Sequence, residues 1–410
     1  MSDIDRHRAE KLMREAGLDA LVLFQPEAFR YAVGAPAGVA TMWGRAGSAI
    51  ALVPCDAAPS ISAVVSDHAA PLVAKAAPNV EIRMHRIWID LVDLAGVETV
   101  TEVNDAYRRH NSGGQRPETF DRAACFNLLK ELLEERGLAT GRIGADLEFL
   151  PAADFEALKG AVPGVVWVDG SETLRRLRAV KTRNEIVRLR NAALAAEAGL
   201  VEMAEAVRPG VSLGALSAAW KAGAQGYAAR SGFSLSGHWD YISVGPGLSD
   251  MAAVVTPGAL IKADIGTLVD GYSSDGARTF SFGAVSPLAA EIYSALEHAF
   301  SCGLEALRPG NTFGAVHAAM LAAMRSRGFG EYYRGHFGHS VGGSVGIEEW
   351  PFFSNKNAEI IEPGMVVAVE APFYGEGFGA LMIEDQFLVT ETGAECMTTL
   401  PRSLRDLSVG

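Results

Sequence analysis

A six-residue phrase occurs twice in the second half of the chain: Glu205-Ala-Val-Arg-Pro-Gly210 returns as Glu305-Ala-Leu-Arg-Pro-Gly310. Each copy is followed by a glycine at the same offset, Gly214 and Gly314, and by an alanine-rich stretch of helical character. A second pair keeps the same order: Thr256-Pro-Gly258 leads to Asp264 and Glu362-Pro-Gly364 leads to Glu370, with the acid six residues after the glycine in both. Two phrases repeating in one order predict a duplicated αα-plus-strand unit, and with it a domain of pseudo-twofold architecture. Each repeated strand also carries a carboxylate, so the duplication concerns chemistry as well as fold.

The 410 residues leave room for a further domain before this one. Ala9, Leu12, Met13 and Ala16 recur at helical spacing and Gly17 follows where a C-cap belongs. The apolar run Ala20–Phe24 reads as a buried strand; Leu128, Leu129, Leu132 and Leu133 give a second helix ended by Gly137, and Arg142–Ala145 a second strand. The alternation predicts an α/β domain over residues 1–170. Residues 171–200, dense in Arg, Lys and Glu with Leu174, Leu177, Ile186 and Leu189 on one face, are expected to form a helical connector into a domain spanning 201–410.

Composition removes several classes of function. Thirty-six basic against 49 acidic residues leave a net charge of −13, and without a Lys/Arg stripe the chain is not expected to bind nucleic acid. Cys55, Cys125, Cys302 and Cys396 contain no C-x-x-C pair, so neither a zinc ribbon nor a disulfide framework is expected. The segment MSDIDRHRAEK mixes charge signs where a secretory signal needs a basic start and an apolar run, and no apolar stretch is long enough to span a membrane. Cytoplasm is the expected location.

Ile261–Phe282 reads as a hairpin: two runs rich in Ile, Val, Tyr, Thr and Phe flank the turn-prone Val269-Asp270-Gly271. Folding it back brings Asp264 near Asp275, two carboxylates that repel unless a cation sits between them. Asp270 is read as the turn residue. Glu370 in MVVAVEAPFY and Glu384 in ALMIEDQFLV are likewise flanked by strand residues, where an unpaired carboxylate is costly. Between them, RGHFGHSVGG supplies His336 and His339. One imidazole beside four carboxylates is a donor set suited to Mn, Co, Fe or Zn, two ions being held by bridging carboxylates.

These phrases resemble the pita-bread metallohydrolases, the family of aminopeptidase P, prolidase and methionine aminopeptidase with their metal-free relative creatinase. The resemblance covers most of the chain. It includes Gly17-Leu-Asp-Ala-Leu21, Val180-Lys-Thr-Arg-Asn-Glu-Ile186, the pattern D-x-G followed by G-Y-x-x-D-x-x-R-T-F at Asp264–Phe280, His339 with Gly342, Glu362–Glu370, and Ile383-Glu-Asp385. It implies an α/β creatinase-like N-terminal domain and an α+β pita-bread catalytic domain with internal pseudo-twofold duplication. It also implies two divalent ions, manganese favoured, held by Asp264, Asp275, His339, Glu370 and Glu384. Asp275 and Glu384 would bridge the ions, Asp264 would chelate one, His339 and Glu370 would serve the other, and Glu370 would accept a proton. A homodimer is the family default.

The chain departs from the family's peptidases on the substrate side. Gly245-Pro-Gly-Leu-Ser-Asp-Met251 stands where a histidine is usual, Gly346 falls at the position of a second histidine, and Met382 replaces an arginine. Asp250, His336 and His238 are the candidates to substitute for the missing imidazoles. Tyr272 and Arg278 are read as structural, and Trp88 as a buried tryptophan in preference to one reaching a neighbouring site. The resemblance therefore implies a metal-dependent hydrolase of a peptide or amide C–N bond, Xaa-Pro aminopeptidase- or prolidase-like, with a small non-peptide amide as the alternative substrate. A metal-dependent lyase and a metal-free binding protein are the weaker readings.

Overall fold

The computed structural model describes residues 2–111, 114–343 and 348–409. Gly346 lies outside the described residues. Two units divide between Arg178 and Ala179, eight residues beyond the expected end of the first domain at 170.

The first unit runs α1 (Arg6–Glu15), β1 (Ala20–Leu23), α2 (Pro26–Val33), β2 (Ile50–Pro54), β3 (Ser62–Ser66), α3 (Ala70–Ala76), β4 (Glu81–His85), α4 (Val100–His110), α5 (Arg122–Glu135), β5 (Arg142–Ala145), α6 (Ala152–Ala161), β6 (Val166–Asp169) and α7 (Ser171–Ala179). Its strands form one mixed sheet in the order β4-β3-β2-β1-β5-β6. β1 is central, parallel to β5 and antiparallel to β2. A strand covered on both faces must be apolar at every position. Leu21 and Leu23 accordingly enter one core with Phe29 and Val53, while Ala20 and Val22 enter another with Phe126 and Leu129. Trp88 is half-buried, edge-on to Trp43 with ring centroids 5.8 Å apart.

The expected single connector is two helices. α7 ends at Ala179, and α8 (Arg183–Ala206) starts afresh, capped by Thr182, whose hydroxyl accepts from Glu185 N while the Glu185 carboxylate accepts from Thr182 N. Val180 and Lys181 between them are extended: Val180 bridges Met365, and the Lys181 ammonium donates to Ser340 Oγ at 2.7 Å.

The second unit continues with α9 (Leu213–Arg230), β7 (Gly237–Val244), β8 (Ala259–Val269), β9 (Tyr272–Ser273), β10 (Gly276–Phe282), α10 (Pro287–Ala306), α11 (Phe313–Ser326), β11 (His336–Ser340), β12 (Glu349–Ser354), β13 (Val366–Gly375), β14 (Gly379–Val389), β15 (Ala394–Cys396) and β16 (Arg405–Asp406). The main path of its sheet is β12-β11-β13-β14-β10-β8-β7, antiparallel at every step. The duplication is visible in hydrogen bonds. Gly210 N donates to Val255 O and Gly310 N to Ile361 O; Ser212 bridges Val254 and Thr312 bridges Ile360. Gly210 and Gly310 share a left-handed conformation, φ 80° and 88°. Each repeat buries its helix pair on its own strands: α8 and α9 cover Ile261, Ala263 and Ile265, and α10 and α11 cover Val367, Val369 and Ala371. Because side chains alternate along a strand, the residues between these emerge together on the opposite face.

Candidate metal centre

Strand register assembles the site. The expected hairpin forms, with Asp270 at φ 48° and Gly271 at φ 74°, the pair of positive values that a tight two-residue connection requires. Across it Ala277 pairs with Asp264, and on the far side of β10 it pairs with Glu384, which in turn pairs with Glu370. One row, Tyr241–Asp264–Ala277–Glu384–Glu370, therefore crosses five strands on the face away from the helices. Asp275, two residues before Ala277, falls on the same face.

His339 joins the row from β11, paired with Ala368, and its Nε2 lies 3.4 Å from Asp275 Oδ2. His336 sits three residues earlier and would point away in a regular strand, yet its Nδ1 is 3.1 Å from Glu370 Oε1. A register shift between the two histidines reverses the alternation. Gly338 makes it possible: its φ is 121°, and a Cβ there would lie 2.0 Å from Ala368 O.

Asp264, Asp275, His339, Glu370 and Glu384 line one cleft of about 430 Å3. All but Asp264 are buried. Burial, reinforced by the neighbouring acids, raises the Glu384 pKa well above the usual carboxylate range and Asp275 to about 7; Asp264 is raised by the same desolvation against the pull of Lys262. Burial also works against His339, but its contact with Asp275 wins and lifts it to about 9. Glu370 goes the other way, because the hydrogen bond from His336 and the charge of Arg334 outweigh desolvation.

The donor set fits cations. Asp275 Oδ1 is buried with no hydrogen-bond partner, and ligand atoms of Asp275, His339 and Glu384 all lie within 4.8 Å of one another. An orphaned carboxylate oxygen between three further acids is an arrangement that a divalent ion satisfies.

The substrate-side candidates divide. His336 and Met382 line the cleft. His238 does not: it pairs with Thr267 on the other face of β7, its ring 6.1 Å from that of Trp220 on α9. Asp250 is exposed in a turn, where its side chain accepts from Ala252 N. Trp239, Tyr241, Arg334 and Tyr374 also line the cleft and were not anticipated. Tyr241 and Trp239 follow from alternation on β7 once its register is known; Arg334 and Tyr374 carry no motif.

A sheet that gathers four carboxylates and an imidazole in one cleft, with helices duplicated behind it, fits a metal-dependent hydrolase of the metallopeptidase class. Residues 187–391 match metallopeptidase family M24 and residues 6–180 match the creatinase/prolidase N-terminal domain, and the chain belongs to family M24. It is 34% identical over 284 residues to the probable dipeptidase PepE of Mycobacterium tuberculosis, covering 68% of this chain and 73% of that protein. It is 29% identical over 284 residues to the putative dipeptidase YkvY of Bacillus subtilis, covering 68% and 77%. The Xaa-Pro dipeptidase of Bacillus anthracis superposes over 98% of both chains with a TM-score of 0.76 at 23% identity.

Proposed function

We propose that the protein hydrolyses a C–N bond of the peptide or amide type, prolidase-like, on two divalent ions held by Asp264, Asp275, His339, Glu370 and Glu384. The observation that carries the reading is the orphaned Asp275 Oδ1 within a row of carboxylates that cannot all ionise without cations. The ions, when bound, supply Lewis acidity that polarises a carbonyl and lowers the pKa of water. Glu370 is the proton carrier. His336 and Arg334 both engage its Oε1, at 3.1 and 3.4 Å, which keeps it ionised and fixes its orientation, so that it can take a proton from water and pass it to the departing nitrogen. Manganese is the favoured metal of a set that includes Co, Fe and Zn, because oxygen donors dominate the ligands.

The relatives support a short peptide as substrate, since PepE and YkvY are named as dipeptidases. A small non-peptide amide is the second reading, favoured by one observation: of the three candidates for the missing imidazoles, His336 alone reaches the cleft. The proposal includes a homodimer, on family resemblance, and a cytoplasmic location, on four free cysteines; no helix among the described residues is long and apolar enough to cross a membrane.

The test is cleavage of Xaa-Pro dipeptides, tripeptides and small amides by Mn2+-reconstituted protein, followed by mass spectrometry, with Glu370→Ala as blank. Asp275→Ala should lose metal and turnover together. Full turnover by that variant would exclude the dinuclear mechanism, and cleavage of amides but no peptide would select the second reading.

A further inference from the structure

The apolar face of α11 carries a histidine. Phe313, Val316, His317, Met320 and Met324 recur at helical spacing and all are buried. At 2% exposure the His317 ring needs a protein partner in place of water. It finds one outside its own helix: Nε2 lies 3.1 Å from the main-chain carbonyl of Arg334. A carbonyl only accepts, so Nε2 carries a proton and donates it. The ring rests against Phe337, with centroids 5.2 Å apart.

The carbonyl that His317 meets belongs to a stretch without regular structure. Residues 333–335 lie between α11 and β11 in neither helix nor strand, so their main-chain groups depend on side chains or water for partners. A second tie stands at Tyr332, whose hydroxyl donates to Pro372 O on β13 and whose ring stacks on Phe337 at 6.3 Å. Pro372 is two residues beyond Glu370 on that strand.

These ties fix the origin of two side chains that converge on one atom. Arg334 Nη2 and His336 Nδ1 stand 3.4 and 3.1 Å from Glu370 Oε1. Arg334 Nε is buried without a partner, so no fork of bonds locks the guanidinium, and its place follows from where the main chain leaves it. The first repeat has a tie at the same helix position. Ser217 on α9 corresponds to His317 on α11 in the repeated phrases, and its hydroxyl donates to Asp240 Oδ2 on β7 at 2.6 Å. Both repeats use this position to fasten a helix to the chain that follows it, and in the second the fastening leads to Glu370.

We infer that His317, with Tyr332, is a positioning residue: by holding the Arg334 carbonyl it sets Arg334 and His336 against Glu370, and so fixes the orientation in which that carboxylate exchanges its proton. The inference rests on the C–N hydrolase reading above and deepens it, carrying control of the proton carrier out of the cleft, which His317 does not line, and into helix α11.

The experiment compares wild type with His317→Gln, His317→Leu, Tyr332→Phe and, as control, Ser217→Ala. It measures kcat and KM at saturating Mn2+ on Ala-Pro or on whichever peptide or amide wild type cleaves, together with Mn2+ affinity by calorimetry and thermal unfolding. Glutamine can present its Nε2 where the imidazole nitrogen stood, whereas leucine fills the space without a donor. His317→Leu should lower kcat about 10- to 100-fold with KM nearly unchanged, the range found when a group behind a metal ligand is removed. His317→Gln should recover most of that loss, Tyr332→Phe should fall between, and Ser217→Ala should turn over like wild type. A purely structural histidine would give the opposite order, since leucine suits an apolar helix face better than glutamine. Wild-type kcat in His317→Leu, no recovery in His317→Gln, or an equal loss in Ser217→Ala each overturns the inference and leaves the hydrolase reading intact. If a His317 variant does not fold, Tyr332→Phe decides: a lowered kcat at unchanged KM upholds the inference and a wild-type kcat overturns it. If wild type cleaves nothing the hydrolase reading fails, and Mn2+ affinity decides the positioning role: affinity weakened in His317→Leu and recovered in His317→Gln upholds it, and equal affinity in all overturns it.

Discussion

Arg278 holds Glu384 from behind. Its Nη1 donates to the Glu384 carbonyl at 2.8 Å, and its Nη2 donates to Oδ1 of the adjacent Asp385 at 2.6 Å. Asp385 is buried and also receives Arg402 Nε and Thr398 Oγ1. The planar guanidinium matches this fork of acceptors, which a lysine cannot. Arg278→Lys should therefore lower metal affinity about 10- to 100-fold through misplacement of Glu384. Metal titration of the folded variant checks this; unchanged affinity with a lowered Tm would reduce Arg278 to a purely structural role.

Stripped of ions, the centre should make stability fall with rising pH. Asp275 is raised from 3.8 to about 7, Glu384 well above its ordinary 4.5, and His339 from 6.5 to about 9. A group whose native pKa exceeds its unfolded value contributes stability that is complete below the unfolded pKa and is lost as pH rises through the native one. The two acids thus lose their contribution from about pH 4 to 7 and beyond, and His339 from 6.5 to about 9. Glu370, lowered, acts oppositely and only as pH falls through the acid range. The Tm of EDTA-treated protein should drop by several degrees between pH 5 and 9, with Mn2+ removing most of the slope. A flat EDTA curve would count against this electrostatic account.

Gly338→Ala should break the bulge that turns His336 toward Glu370. The φ of 121° and the 2.0 Å approach to Ala368 O leave no place for a methyl group. Positive-φ strain plus the clash should cost about 3 kcal/mol. Urea unfolding measures the loss, and a variant as stable as wild type would show that the bulge tolerates a side chain.

Asp154 is the corresponding buried anchor in the first unit. Its carboxylate accepts from Ala46 N at 2.9 Å and pairs with Arg45 and Arg122. Asp154→Ala should destabilise by about 2 kcal/mol, since it strands a buried N–H and two guanidinium groups. Metal content should be unchanged, because none of the proposed ligands lies in residues 1–178. Loss of metal in a folded Asp154→Ala protein would contradict this separation.

Much of the site was legible because strands alternate. Asp264, Asp275, Glu370 and Glu384 stand in apolar runs where a carboxylate demands a partner, and the repeated Pro-Gly phrases pair two of them. His238 was misplaced by that rule's complement: it belongs to the same strand as Trp239 and Tyr241 but to the opposite face, and only the register of β7 against β8 shows which face carries Asp264. The connector was read as one helix because helical spacing persists on both sides of Val180–Thr182; the break is set by the bridge of Val180 to Met365, a residue far away in sequence.

The sequence by itself determined the ligand types, the duplicated units, the hairpin and the family. These depend on local spacing and on the cost of burying an unpaired charge, both of which are written along the chain. Only the tertiary structure decided that His336 faces the cleft and that Asp250 does not, and that His317 meets the Arg334 carbonyl. Register between strands distant in sequence, and one bulge at Gly338, are set by packing across the whole sheet, and no short segment encodes them alone.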